Sequence, residues 1–583
     1  MAKAVFTDSI RSGQFRELSK KYRKVESLDL GANTSDAKNS KEKVAYNARL
    51  AQITAGLEPY NGPFTERHVA HLIKRISFGV STGELRQYRN DTIDQILDRF
   101  FSFNLNYPEP INNYNQEGEE GMDPDVEAGA TFVRAKFDQN FEGERIISLK
   151  TWMIGRVINA QNSALEKMIL FWWHFLPIKM WDVFVSKICF RYFKMLERNA
   201  IGNFKVMIRD LTLDPGMLIF LSGAFNNKYT PDENFARELQ ELFCIGKGKD
   251  AAYTEEDVRM TARVLTGWTV DWESVHEDGE PISYFNSEAH HTGDKRFSAF
   301  YGNKVISGKA GDAGAEELDE LLDMIFSNPE CAKHLARKLY GFFVTPEITA
   351  QAERLVITPL AQVIRQHNFD ILPALRVLLK SAHFYHQDII GVVIKTPLDF
   401  TLGFWKSFNM RKAASTLEER QMYEGILWQM ANLGMEIGDP PNVAGWPPFY
   451  QSPMYDKIWI NTDTIARRTL LTDSLVFWGF RLNAMFNVQA NVLNFVNTLA
   501  NPEDPNSLIK DSALVLLGVD LGPIQFEQVK QVLLSGQEQD YYWTGAWLTF
   551  EANPSNLEAR TVVLNRLNPA FQLLLQMAET HLM

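Results

Sequence analysis

The 583-residue chain carries 60 Lys and Arg against 72 Asp and Glu, a formal net charge of −12 with no long basic run, which argues against nucleic acid or an anionic membrane as principal partner. Hydrophobic residues make 45% of it and aromatics 12%, enough for a substantial folded core and too much for a disordered chain. The three cysteines, Cys189, Cys244 and Cys331, are odd in number and form no CxxC, so they fit reduced buried thiols better than a disulfide framework or a zinc site.

Residues 1–55 read as an N-terminal arm, a charged amphipathic helix followed by the polar linker LGANTSDAKNSKEK. The opening has no continuous apolar segment of the secretory type, and nowhere do about 18 apolar residues run uninterrupted, so the expectation is a cytoplasmic protein without a membrane span. Residues 56–583 read as one large helical domain. In FTERHVAHLIKRISFG, Thr65 is placed to cap a helix whose apolar stripe is Val69, Leu72, Ile73 and Ile76. His71 and Arg75 share one of its faces, where a hydrogen-bonded structural role is the simpler reading. The loop QEGEEGMDPDVEAG from Gln116 collects six carboxylates without the ligand order of an EF-hand, and reads as a solvated insertion that binds no calcium. The apolar segment from Met168 is broken by His174, Pro177, Lys179 and Asp182 and reads as a buried helix pair.

Ionisable residues concentrate in TPDENFARELQELFCIGKGKDAAYTEEDVRMTARVLTGW, residues 230–268. Thr230, Pro231 and Glu233 predict a capping box opening a helix of about four turns that stops at Gly246. Thr254 and Asp257 predict a second box, opening a helix that Gly267 ends, and the two helices should pack as a hairpin. Glu233, Arg237 and Glu241 lie four apart on one face, with Asn234 and Glu238 beside them. On spacing alone, a solvated face of ordinary ion pairs is the simpler reading. After Trp268 the pattern alternates and turns polar, predicting a small β-hairpin excursion around residues 269–306 that carries His290, His291, Asp294 and Lys295. Were it to fold over the hairpin, His290 and Lys295 could meet Arg237, Glu238 or Glu241 in a cluster suited to proton transfer or to binding an anionic group.

The helical period returns in LDELLDMIFSNPECAKHLARKLYGFFV and in FDILPALRVLLKSAHFY. GDPPNVAGWPPF from Gly438 is too rich in Pro and Gly for a helix, so Trp446 belongs to a rigid loop that either plugs the core or, with Trp459, walls a cleft for a sugar, base or side chain. The fold class is therefore all-α, a large multi-helix bundle with one small β-hairpin excursion. No GxSxG, Walker, Rossmann or HExxH pattern assigns a cofactor or a familiar reaction.

The words Pro231–Phe243, Tyr253–Val258 and Thr266–Trp268 resemble the signature of a bacterial family, domain of unknown function 1800. Similar words recur in order at Val69–Gly79, Met168–Pro177, His290–Lys295, Ile394–Phe400, Pro440–Pro447 and Trp459–Arg468, and the two ends of the likeness look most like longer Bacteroidetes-type members. His291 stands where the family usually has Asp, which weakens any role needing a carboxylate there. The resemblance implies Arg237, Glu238, Glu241, His290 and Lys295 as catalytic candidates, and Asn234, Trp268, Trp446 and Trp459 as binding candidates. It also implies a sulfatase-like companion protein, often bearing a twin-arginine signal. Two functions follow as expectations: an accessory subunit acting in complex with that companion, exported with it if periplasmic, or an enzyme whose acid/base or metal site uses the Glu-rich helix and the His290 loop.

Overall fold

The computed structural model describes residues 49–115, 121–248, 250–410, 412–446, 455–481 and 487–583. The N-terminal arm and linker, the tip of the acidic loop and residues 447–454 of the Pro-rich loop lie outside the described residues. The chain divides between Gln52 and Ile53, and the unit Ile53–Met583 carries the architecture. It is 58% helix and 5% strand, a helical assembly with minor β-structure. Three antiparallel two-stranded ribbons accompany the helices: Trp268–Val270 with Ser283–Phe285, Lys295–Arg296 with Val305–Ile306, and Phe480–Arg481 with Asn487–Val488. The first two are the expected excursion, and the third was not anticipated. Among the described residues no helix is long and apolar enough to cross a membrane.

The helices follow their local signals. In Glu66–Ile76 the stripe Val69, Leu72, Ile73 and Ile76 is fully buried, and the polar pair on its flank is buried as well: His71 Nε2 lies 3.1 Å from the carbonyl of Phe384. The apolar segment becomes the helix Leu165–Phe175, buried along its whole length, with the indoles of Trp172 and Trp173 donating to the carbonyls of Ala200 at 2.8 Å and Ile178 at 3.2 Å. A helix buried on every side packs this way in a large core, with each indole N–H finding an acceptor and the charged Glu166 and Lys167 paired with Arg156 and Asp399. Cys189, Cys244 and Cys331 are buried free thiols.

The acidic loop is tied down more firmly than a solvated insertion would be. Asp123 is fully buried and accepts a two-pronged bond from the Arg145 guanidinium, at 2.9 and 3.0 Å, and a third from the Tyr114 hydroxyl at 2.8 Å. A carboxylate followed by Pro124 can turn inward only if a cation meets it there, and that cation sits on a helix the loop sequence does not contain.

Candidate functional site

The signature hairpin forms, with one helix redrawn. Thr230 is not its cap: its amide is held by Asn227 Oδ1 at 3.2 Å and its hydroxyl accepts from Asn227 Nδ2 at 2.9 Å, closing a tight turn instead. Asp232 caps, taking the Asn234 amide at 2.7 Å. The α-helix then covers only Glu233–Glu238 before widening into a π-turn, Leu239–Cys244, and Gly246 closes it at φ +89°. Gln240 supplies the physical reason for the widening. Its amide is fully buried, donates to Ala236 O and Thr261 Oγ1, and accepts from the Tyr301 hydroxyl at 2.8 Å, which joins both helices to the excursion.

The second helix, Glu255–Val264, begins with the expected Thr254–Asp257 box and is followed by Gly267 at φ +95°. Asp257 does more than cap. Buried, it accepts from the Thr254 amide at 2.7 Å and hydroxyl at 2.9 Å, and from both the amide and the hydroxyl of Ser298 at 2.7 Å. One carboxylate thereby fixes the helix start and ties down the excursion.

The candidate acid/base residues separate into two groups. On the helix, Arg237 binds Glu255 of the second helix through two bonds, at 2.8 and 2.7 Å, and Glu233 at 3.1 Å. The contact with Glu255 raises the guanidinium further above its already high range. Glu241 pairs with Lys247. Burial, then the neighbouring Glu241, pushes the half-buried Glu238 carboxyl up. Tyr253 is likewise pushed up to about 12, by burial and then Glu241. This cluster sits near the surface, so Arg237→Ala is expected to cost less than about 1 kcal/mol, as measured by urea unfolding.

His290 and Lys295 make their contacts elsewhere. Both are buried, and both face Glu317, the first residue of the helix Glu317–Ser327. The Lys295 ammonium contacts Glu317 Oε2 and donates to the His291 carbonyl at 2.5 Å, while the Lys309 amide donates to Oε1 at 2.7 Å. His290 Nδ1 is bonded to the Thr266 carbonyl at 2.8 Å, which aims Nε2 at Glu317 Oε1, 3.2 Å away but off the line of a good hydrogen bond. Gly314 makes room for the ring, since a Cβ there would stand 2.7 Å from His290 Cδ2. Burial alone would raise the Glu317 carboxyl; the facing edge of His290 and the bonds from Lys295 and the Lys309 amide outweigh it and hold the group low. Lys295 is also pulled down, because loss of hydration exceeds the pull of Glu317. The two directions conflict for one pair. Direct contact of ammonium and carboxylate decides for the charged pair.

The expected meeting of His290 and Lys295 with Arg237, Glu238 or Glu241 is thus replaced: among the described residues, no hydrogen bond or ion pair joins the two groups. The His291 imidazole takes the Gly293 amide at 3.2 Å. Asn234 donates to the Leu221 carbonyl at 3.3 Å, and Trp268 lies half-buried against Phe285. Trp446 is only 2% exposed, its indole donating to the Glu436 carbonyl at 3.1 Å and its amide to His174 Nδ1 at 3.3 Å, and Trp459 is equally buried. Both plug the core. Glu317 and Gln240 were the buried polar groups that spacing missed, while for Asp257 it gave the cap and not the tether to Ser298. Only Gln240 carried a signal, as a polar residue one turn after Ala236 on the inward face.

A model of the family described as Protein of unknown function (DUF1800) matches residues 71–579, nearly the whole chain. The chain belongs to the DUF1800 family. No curated protein and no solved structure matches it. Within this DUF1800 chain the signature words build a tied unit of two helices and an excursion, held by Gln240, Asp257 and Glu317 from the inside. Among the described residues no group of three or more His, Cys, Asp or Glu is placed to hold a metal ion.

Proposed function

We propose that this DUF1800 protein is a partner-binding subunit, and that the signature unit presents the docking face. The observation that carries this reading is an exposed apolar surface on the ribbon Trp268–Val270 with Ser283–Phe285. Thr269 pairs with Tyr284, so alternation turns Tyr284 and Ile282 outward, where they are 47% and 45% exposed. The turn beside them adds Phe225 and Tyr229, 66% and 83% exposed. It is held against the ribbon by Thr269 Oγ1 to the Ala224 carbonyl at 2.9 Å and by the Lys228 amide to the Ala289 carbonyl at 2.8 Å. Aromatic side chains on a rigid ribbon lose little entropy when covered, and such residues dominate binding energy at protein interfaces.

The buried placement of His290, Lys295 and Glu317 also supports this reading over the enzyme alternative, because their hydrogen bonds go to one another and to neighbouring backbone groups, and the free edge of His290 faces Glu317 in place of a substrate. The partner is the sulfatase-like companion that the family likeness implies, and a signal on that companion is the route by which the complex reaches the periplasm. Co-expression with the companion should yield a complex that survives gel filtration. Tyr229→Ser with Tyr284→Ser should weaken it at least tenfold, corresponding to about 1.4 kcal/mol or more, with the melting temperature of the free protein unchanged. A complex unaffected by the double variant would remove the ribbon from the interface.

A further inference from the structure

Two stretches far apart in sequence, Val69–Gly79 and Ile394–Phe400, meet around a small, narrow-mouthed space away from the signature unit. Lys74, Gly79, Lys395, Asp399, Phe400, Gly403, Phe404, Ser407 and Leu516 are among its lining residues, and it holds a volume of about 10 Å³. That is room for one water-sized sphere. Lys74 reaches into it with 4% exposure, and its ammonium makes no hydrogen bond among the described residues. The space is built for that ammonium: a Cβ on Gly518 would stand 2.9 Å from Lys74 Nζ, and one on Gly79 would stand 2.7 Å from the Gly403 carbonyl oxygen.

Lys395 adds a second buried ammonium, donating to the Thr580 carbonyl at 2.8 Å. Arg468 stands behind it, giving one N–H to the Lys395 carbonyl at 2.8 Å and leaving Nε and Nη1 unbonded. The lining carboxylate, Asp399, is already engaged: Lys167 contacts one oxygen, and the Thr396 hydroxyl donates to the other at 2.8 Å. Ser407 donates its hydroxyl to the Val80 carbonyl at 2.8 Å. The cavity thus offers ammonium donors between phenylalanine and leucine walls, with its carboxylate turned to Lys167.

We propose that this cavity binds a single halide-sized anion, chloride in the cell, held by the ammonium groups of Lys74 and Lys395. A space of about 10 Å³ favours a monatomic anion over phosphate or sulfate. Burial pulls Lys395 down to about 7, and burial together with Lys395 pulls Lys74 well below its ordinary range, which is the cost an anion between them relieves. The site is independent of the docking face.

The test is the melting temperature of the full chain in sodium chloride, sodium bromide and sodium gluconate at constant ionic strength, with crystals grown in bromide examined for anomalous scattering. A rise of about 2 °C per hundredfold increase of chloride or bromide above its Kd is expected, with none in gluconate, and a bromide peak against Lys74 Nζ. Lys74→Met places an apolar chain of similar length in the same space. It should erase the halide dependence while melting in gluconate at or above the parent, which also shows that it folds. Lys395→Met should weaken the dependence. Equal melting in halide and gluconate for the parent chain, a cavity occupied by water alone in bromide, or a halide rise surviving in Lys74→Met would each overturn the assignment.

Discussion

Replacing Glu317 by Ala is expected to destabilise the protein by about 3–5 kcal/mol, the range for removing one partner of a buried ion pair. Glu317 has no exposed side-chain surface, and its loss strands the Lys295 ammonium, the Lys309 amide and the edge of His290 at once. The double variant Lys295→Met with Glu317→Leu should recover most of that loss, because two apolar side chains of similar volume need no partners. The shift of the urea midpoint at unchanged slope measures both. The acid limb provides a second readout. Because the folded protein holds the Glu317 carboxyl below its unfolded value of 4.5, its contribution is fully present above that pH and is lost as pH falls through the folded value. Glu317→Gln should therefore flatten part of the acid-unfolding transition. An acid limb identical to that of the parent would show that the pair contributes nothing there.

Asp257→Ala should cost about 3 kcal/mol, more than a cap alone is worth. Loss of an N-cap typically costs ~1 kcal/mol. The remainder is the stranding of the Ser298 amide and hydroxyl, which have Asp257 as their acceptor at 2.7 Å. Thr254→Ala removes the cap and leaves the tether, so the difference between the two variants isolates the tether. Limited proteolysis should then cut Asp257→Ala within residues 283–306 faster than Thr254→Ala. Equal costs and equal cleavage in the two variants would confine Asp257 to capping.

These contacts show where the sequence was sufficient and where it was not. The helical class, the buried stripe of Glu66–Ile76, the Thr254–Asp257 box, the stops at Gly246 and Gly267 and the excursion after Trp268 were all legible, because each is decided within a turn or two of chain. Cap side chains, left-handed glycines and apolar periodicity act on neighbours already held close by covalent bonds. Even here local competition decided one outcome, since Asn227 took Thr230 and left the cap to Asp232.

The partners of the charged residues belonged to the tertiary structure. Glu238 and Glu241 stand one turn apart as their spacing requires, yet Lys247, and not the excursion, came to Glu241. His290 and Lys295 were visible as a polar loop, while Glu317, 22 residues beyond Lys295, reads in sequence as one more acid in the first turn of an amphipathic helix. Lys74 and Lys395 look like ordinary helix and loop lysines until the fold closes Gly79, Gly403 and Gly518 around them. A buried charge must find its partner wherever packing brings one, and its desolvation cost depends on surroundings assembled from distant segments. Local pattern fixes where a side chain points along its own element; only the packed chain decides what it meets there.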